Sequence, residues 1–273
     1  MYPEISIVTS YHNRKPLILK TLEVLEKYPD KNFEVVIVDD ASEERHRLED
    51  ELDYSFEITL IRIKPERKTH VNPCIPFNIG FEHARGEKII IQNPECLHAG
   101  DLIGAASAIK ENEYIPFHCY SFDARLTQRL FDLDISSLSF DDLTTKLKKD
   151  LSSLPQQSCD QGVYAPAWFN HSDIRPIGYH FASAIMAKDL RELGGFDERY
   201  AMGIGWDDDE ILERIKRKGM NINFCDETVI HQWHSMEAYR HPNFESYWVR
   251  NQNLFNNVTK NETEWRVESR VNK

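Results

Sequence analysis

An α/β fold with a mostly parallel central sheet is what this sequence predicts, and three observations predict it. Short runs rich in β-branched residues recur through the first hundred positions. Stretches with helical spacing separate them, and polar, chemistry-capable residues stand where the runs end. Runs that are apolar throughout belong to strands covered on both faces, and helices supply that cover in parallel sheets.

Residues 5–9 (ISIVT) read as the first strand. Residues 16–27 follow as a helix, because Pro16 suits a first turn and Ile18, Leu22 and Leu25 fall at i, i+4 and i+7. Residues 35–38 (VVIV) form a second strand and residues 58–63 a third, after a charged stretch suited to a surface helix. A helix over 75–84 closes at Gly86 and leads into a fourth strand at 88–91. Asp101 is an N-cap for a helix over 102–110. Residues 120–175 are less periodic: they hold a helix near 140–151 and a Pro/Gln/Ser/Gly stretch that reads as an excursion shaping a site. Strand 181–186, helix 188–193 ended by Gly194-Gly195, helix 208–218 and a strand at 228–230 complete the pattern. The tail from 241 is polar with aromatic anchors at Phe244, Tyr247, Trp248 and Trp265, read as a docking helix or an interaction surface.

Composition narrows the classes. With 45 acids against 33 Lys and Arg, the net charge of -12 argues against nucleic acid as a partner, since phosphate backbones need a basic footprint. A metal-assisted diphosphate pocket stays compatible with that balance. No run approaches the roughly 18 apolar residues of a membrane span. The five scattered cysteines lack a CxxC pair, and the first residues do not look like a secretory leader. A cytoplasmic location with reduced thiols is the expectation.

Four clusters fall at the carboxyl ends of strands, where open parallel sheets bind ligands. Thr9, Tyr11 and Asn13 follow the first strand and offer hydroxyls and an amide to a nucleobase, or simply make a polar turn. Asp39 and Asp40 follow the second and can accept hydrogen bonds from uracil or ribose, or cap a helix. Asn93-Pro94-Glu95 follows the fourth, where the Asn93 carbonyl and Glu95 are hard oxygen ligands for Mg²⁺ or Mn²⁺, or parts of an Asn-Pro turn. The richest is residues 203–210 (GIGWDDDE): Trp206 offers a flat face to a sugar ring, and four consecutive acids exceed what helix capping needs. His231 and His234 after the last strand add imidazole ligands suited to Mn²⁺. Arg62, Lys64, Arg67, Lys68 and Arg85 form a basic set that would neutralise a diphosphate or face solvent.

Residues 5–14 (ISIVTSYHNR), 33–42 (FEVVIVDDAS), 77–95 (FNIGFEHARGEKIIIQNPE) and 182–218, with its GGFDE and GWDDDE, together resemble a GT-A glycosyltransferase of the family-2 kind. The C-terminal half is similar to the galactosyltransferase and N-acetylgalactosaminyltransferase group. The resemblance covers about residues 4–235. It implies a single compact domain: a Rossmann-like nucleotide-sugar-binding half over 1–100, fused to an acceptor-binding and catalytic half over 101–240. A helical extension would follow over 241–273. By the same resemblance Thr9 and Asp40 hold uracil with Asp39 close by, Asn78 lies near the donor, and the family's Asp-x-Asp metal motif falls on Asn93-Pro94-Glu95. Asp208 takes the place of the catalytic base, Asp207 binds acceptor, and His231, with His234 beside it, ligates the metal.

The implied reaction is inverting transfer of a hexose or N-acetylhexosamine from a UDP-sugar to a hydroxyl of a glycan or glycoconjugate, with Mn²⁺ or Mg²⁺; a homo-oligomer is compatible with it. A catalytically silent nucleotide-sugar-binding module is the rival from another class. A nucleotidyltransferase or a dinucleotide-dependent oxidoreductase would want a glycine-rich loop after strand one, and residues 9–16 contain no glycine.

Overall fold

The computed structural model describes residues 2–162, 164–235 and 241–272. A single sheet path in the order β3-β2-β1-β4-β8-β6-β10-β5 organises them. Strands β1 (Ile5–Tyr11), β2 (Phe33–Asp39), β3 (Glu57–Arg62) and β4 (Lys88–Gln92) are mutually parallel. Helices α1 (Lys15–Leu25) and α2 (Cys74–His83) lie between them in sequence. Beyond β4 the sheet becomes mixed. β8 (Ala182–Met186) pairs antiparallel with β4 and with β6 (Glu113–Ser121), while β10 (Cys225–His231) runs parallel to β6. Short β5 (Cys96–His98), β7 (Ala167–Asn170) and β9 (Asn221–Ile222) complete it.

Alternation along these strands builds two cores. Ile5, Ile7, Val35, Ile37 and Ile90 pack on one face with Ile18 and Leu22 of α1. Val8, Val36, Ile89 and Ile91 pack on the other with Phe77 and Phe81 of α2. Leu190 of α6 (Ala187–Leu193) and Ile211 and Ile215 of α7 (Asp207–Lys218) join that second core. The period of two sends successive residues to opposite faces, so a strand apolar throughout is buried on both. Asp101 caps α3 (Leu102–Ser107) by accepting from the Gly104 N–H, as expected.

Two expectations change. The charged stretch before β3 holds one short turn at Glu44–His46 instead of a surface helix; Leu48 is its only deeply buried residue before Phe56, too few anchors for an amphipathic stripe. The excursion at 120–175 contains β7 and two helices, α4 (Ala124–Phe131) and α5 (Phe140–Ser152), around a third core that includes Tyr120, Leu126, Leu143 and Trp168. The sheet is mostly parallel, as expected, with β8 running antiparallel between β4 and β6.

The tail forms α8 (Phe244–Asn257), which packs on the loop before α7. Asn251 donates to the carbonyls of Tyr200 and Gly205, and the Ile204 N–H donates to the Tyr247 carbonyl. A β-carbon on Gly203 would stand 2.2 Å from Asn251, and one on Gly205 2.8 Å from Trp248. Gly205 also has φ of 66°, so glycine is required there on both counts. No helix among the described residues is long and apolar enough to cross a membrane.

Candidate active site

The carboxyl ends of β1, β2 and β4 open into a cleft of about 770 Å³. Its floor is built from backbone that must turn sharply as the strands end: Asn13 and Ala41 adopt φ of 53° and 60°. Asn13 lines the cleft, its N–H donating to Ser42 Oγ and its side-chain oxygen accepting from the Glu43 N–H. Asp40 also lines it, held by Lys68 at 2.7 Å and His70 at 2.8 Å. Burial pushes the Asp40 carboxyl up, but His70 and Lys68 outweigh it and hold it below the usual range.

A second group closes one side. Glu95, 2% exposed, meets Arg14 at 2.7 Å through Oε2, and its Oε1 lies 3.3 Å from His231 Nε2 and 3.5 Å from His234 Nε2. Gln232 fixes the register, since its N–H and its side-chain amide both donate to the Glu95 carbonyl. Burial opposes the Glu95 charge; Arg14 and the two imidazoles win and hold the carboxyl well below its ordinary value. His231 moves the other way, lowered by burial, and its buried Nδ1 has no hydrogen-bond partner.

This set fits a divalent cation. One carboxylate oxygen and two imidazole nitrogens lie within 4.8 Å of one another. The mixed oxygen and nitrogen donors suit Mn²⁺ better than Mg²⁺, which prefers oxygen throughout. The Asn93 carbonyl accepts the Cys96 N–H at 3.0 Å and keeps one lone pair free. The Asn93 side chain does line the cleft.

The third group stands at the start of α7. Asp207 is buried and accepts from Asn72 at 2.8 Å; burial and the neighbouring Asp208 charge push its carboxyl up to about 6. Asp208 is one-third exposed, with Oδ1 2.6 Å from His180 Nδ1 and 3.3 Å from the His180 N–H. Cleft residues Asn72, Phe77 and Gly205 connect this group to the first two. Asn72 contacts Asp207, and the ring of Phe77 meets His180 edge-on at 5.4 Å. The Asn93 N–H bonds to the carbonyl of Phe181, next to His180.

The structure therefore places Asn13, Asp40, Asn93 and His234 in the cleft lining, Glu95 and His231 directly behind it against Arg14 and His234, and Asp208 a layer further back beside His180, with Asp207 turned inward. Other expected site residues are elsewhere. Tyr11 is fully buried in the first core and donates to the His46 carbonyl, because it occupies an inward position of β1. Thr9 is buried too, its hydroxyl unpartnered. Asp39 is fully buried and spent on Arg62 and the Ser42 N–H. Asn78 is clamped to the Phe196 backbone and Glu198. Arg67 is an exposed turn residue outside the cleft lining. Trp206 does not offer a free face: its ring packs on Trp248 and Phe255. Sequence reasoning missed Arg14, His70, Asn72 and His180. His70 and Asn72 flank the same loop, and the spacing of a cation near each strand end was the only available signal.

Comparisons with known proteins agree with this geometry. Residues 6–130 match the Glycosyl transferase family 2 profile, and residues 179–242 match the N-terminal domain of galactosyltransferase. The chain thus carries one segment similar to family-2 glycosyltransferases and one similar to galactosyltransferases, on a GT-A fold. An uncharacterized glycosyltransferase of Haemophilus influenzae is 31% identical over 114 residues, covering 41% of this chain and 37% of that relative's length. Solved GT-A structures share the fold at low identity. N-acetylgalactosaminyltransferase GalNAc-T7 with UDP, GalNAc and Mn²⁺ superposes with a TM-score of 0.58 at 15% identity, over 96% of this chain and 50% of that one. TarS 1–349 of S. aureus with UDP-GlcNAc gives 0.55 at 14%, over 85% and 59%. A mannosyltransferase of Pyrobaculum calidifontis with GDP-Man and Mn²⁺ gives 0.52 at 20%, over 88% and 60%. In this GT-A chain, the family-2 segment contributes Asp40 and Glu95, and the galactosyltransferase segment contributes Asp207, Asp208 and both histidines.

Proposed function

We propose that this glycosyltransferase moves a hexose or N-acetylhexosamine from a UDP-sugar to a hydroxyl of a glycan or glycoconjugate, with inversion and with Asp208 as the base. One arrangement supports the reading: Asp40 lines the cleft, Glu95 stands behind its wall against Arg14 and His234, and Asp208 stands behind Phe77 through His180.

Asp40 stays ionised beside Lys68 and His70 and accepts from the nucleobase or ribose. Glu95, His231 and His234 would hold a divalent cation, which when bound neutralises charge on the diphosphate. Arg14 fixes the Glu95 carboxylate through Oε2, leaving Oε1 toward the imidazoles. Asp208 removes the acceptor proton as that oxygen attacks the anomeric carbon. The bond from that carbon to the diphosphate breaks, and its electron pair leaves with UDP. Trp233, 48% exposed and lining the cleft beside His234, gives an apolar ring face on which an acceptor pyranose can stack.

The test is a thermal-shift and UDP-release screen with UDP-galactose, UDP-GalNAc, UDP-GlcNAc and GDP-mannose, each with Mn²⁺, Mg²⁺ or chelator. Ligands that bind only the folded state raise Tm. A cation-dependent shift with UDP-sugars and slow UDP release is expected. A shift with no release under any condition favours a silent binding module.

A further inference from the structure

Near the start of the galactosyltransferase-type segment stands a histidine that neither composition nor motif singles out. His180 precedes β8, is 4% exposed, and is held between Phe77, edge-on at 5.4 Å, and Phe196 at 4.8 Å. Its Nδ1 stands 2.6 Å from Asp208 Oδ1, and its own N–H reaches the same oxygen at 3.3 Å. Among the described residues this is the only ion pair of Asp208. Among the described residues that Nδ1 has no aligned hydrogen-bond partner, so its approach to Asp208 is a short ion-pair contact rather than a formed hydrogen bond.

A bare imidazole nitrogen and a carboxylate oxygen 2.6 Å apart repel, so the close approach calls for a proton on Nδ1. We infer that His180 is a positioning residue for the base: an Nδ1–H facing the inner oxygen of Asp208 orients the carboxylate and leaves its other oxygen to the acceptor hydroxyl. The inference rests on the assignment of Asp208 as base and adds the group that prepares it. No bond to substrate is made by His180, and its own proton stays on Nδ1 throughout.

The surroundings are consistent with that role. Charged and titratable groups facing the pair are Asp207 and Asp209 on α7, Tyr114 on β6 and Tyr179; none is a cation. Asp209 is engaged by the Tyr179 hydroxyl at 2.9 Å, and Asp207 by Asn72. Burial lowers the imidazole, the Asp208 charge more than restores it, and His180 titrates above its ordinary value. The aromatic cage leaves the ring little freedom to turn away, so the donor is pre-aimed.

The experiment uses the full chain labelled with ¹⁵N-histidine, and needs no substrate for its first arm. Nitrogen shifts should show His180 protonated at Nδ1 at pH 7, and His180 titration should fall to lower pH in Asp208→Asn. A His180 with its proton on Nε2 and a bare Nδ1 overturns the inference, whatever the activity shows. The second arm follows pH profiles of UDP release from the UDP-sugar that turns over in the screen. His180→Phe keeps the ring packing and removes the donor; it should move the acidic limb upward by about one pH unit, with donor KM within about twofold. His180→Asn, whose amide nitrogen stands near the place of Nδ1, should restore the limb. A limb unmoved in His180→Phe overturns the positioning role while leaving the base intact. Normal release by Asp208→Asn takes down the base assignment, and this inference with it.

Discussion

The strand-end side of the cleft and the start of α7 use carboxylates in opposite ways. Asp40 and Glu95 are each surrounded by cations, Lys68 and His70 for one, Arg14 and two histidines for the other, and both carboxyls are held below their ordinary values. At the start of α7 the acids crowd together, and burial pushes Asp207 up to about 6. The contrast is one of surroundings: cations hold the first two acids charged, while burial and a neighbouring carboxylate raise Asp207.

The sharpest way to break that comparison is Asp208→Asn. Transfer should fall by about 10²- to 10⁴-fold, the range of general-base contributions, with UDP-sugar binding by calorimetry unchanged. Normal transfer by this variant would remove the distinction between the two sides. Next in size is Glu95→Ala, which leaves Arg14 unpaired and removes the only carboxylate of its set. Mn²⁺-dependent UDP affinity should drop about tenfold or more; an unchanged isotherm would take Glu95 out of the cation site. Trp233→Ala should raise acceptor KM about tenfold, from a lost ring contact worth about 1 kcal/mol, with donor KM unmoved. Equal effects on both substrates would place that ring outside the acceptor path.

The smallest effect concerns stability. Folded Asp207 titrates near 6, above the unfolded value of about 4. Between those values the folded chain holds a proton the unfolded chain has lost, so this group makes stability fall as pH rises through that window. Asp207→Asn keeps an acceptor for Asn72 and removes the charge. It should gain about 2 kcal/mol at pH 7.5, a few degrees in Tm, with the gain vanishing below about pH 4. A Tm difference independent of pH would show that burial of the charge is not the cause.

Much of the fold was legible because its signals are local. The runs at β1, β2 and β4 declare burial on both faces, and α1 and α7 carry their apolar stripes and end signals within a few residues. β6 was harder: Glu113, Pro116 and His118 interrupt its apolar pattern, and its pairing with β8 and β10 joins residues far apart in sequence. At the site, acids at strand ends were found from position alone. Their partners were not, since Arg14 reaches Glu95 across 81 residues and His180 reaches Asp208 across 28. Tyr11 and Trp206 failed for a related reason. An aromatic residue beside a site looks the same in sequence whether its ring faces a ligand or the interior, and here strand register and α8 decide it.

The docking of α8 on Gly203 and Gly205 bears on how this molecule can be re-engineered. The loop ahead of the acidic helix takes its shape from side chains some forty positions downstream, so the two segments form one inheritable unit. Chimeras that import a relative's GIGWDDDE region without its matching C-terminal helix would leave Trp206 without its partners and the loop without its mould. Grafts that move both together keep the two surfaces complementary.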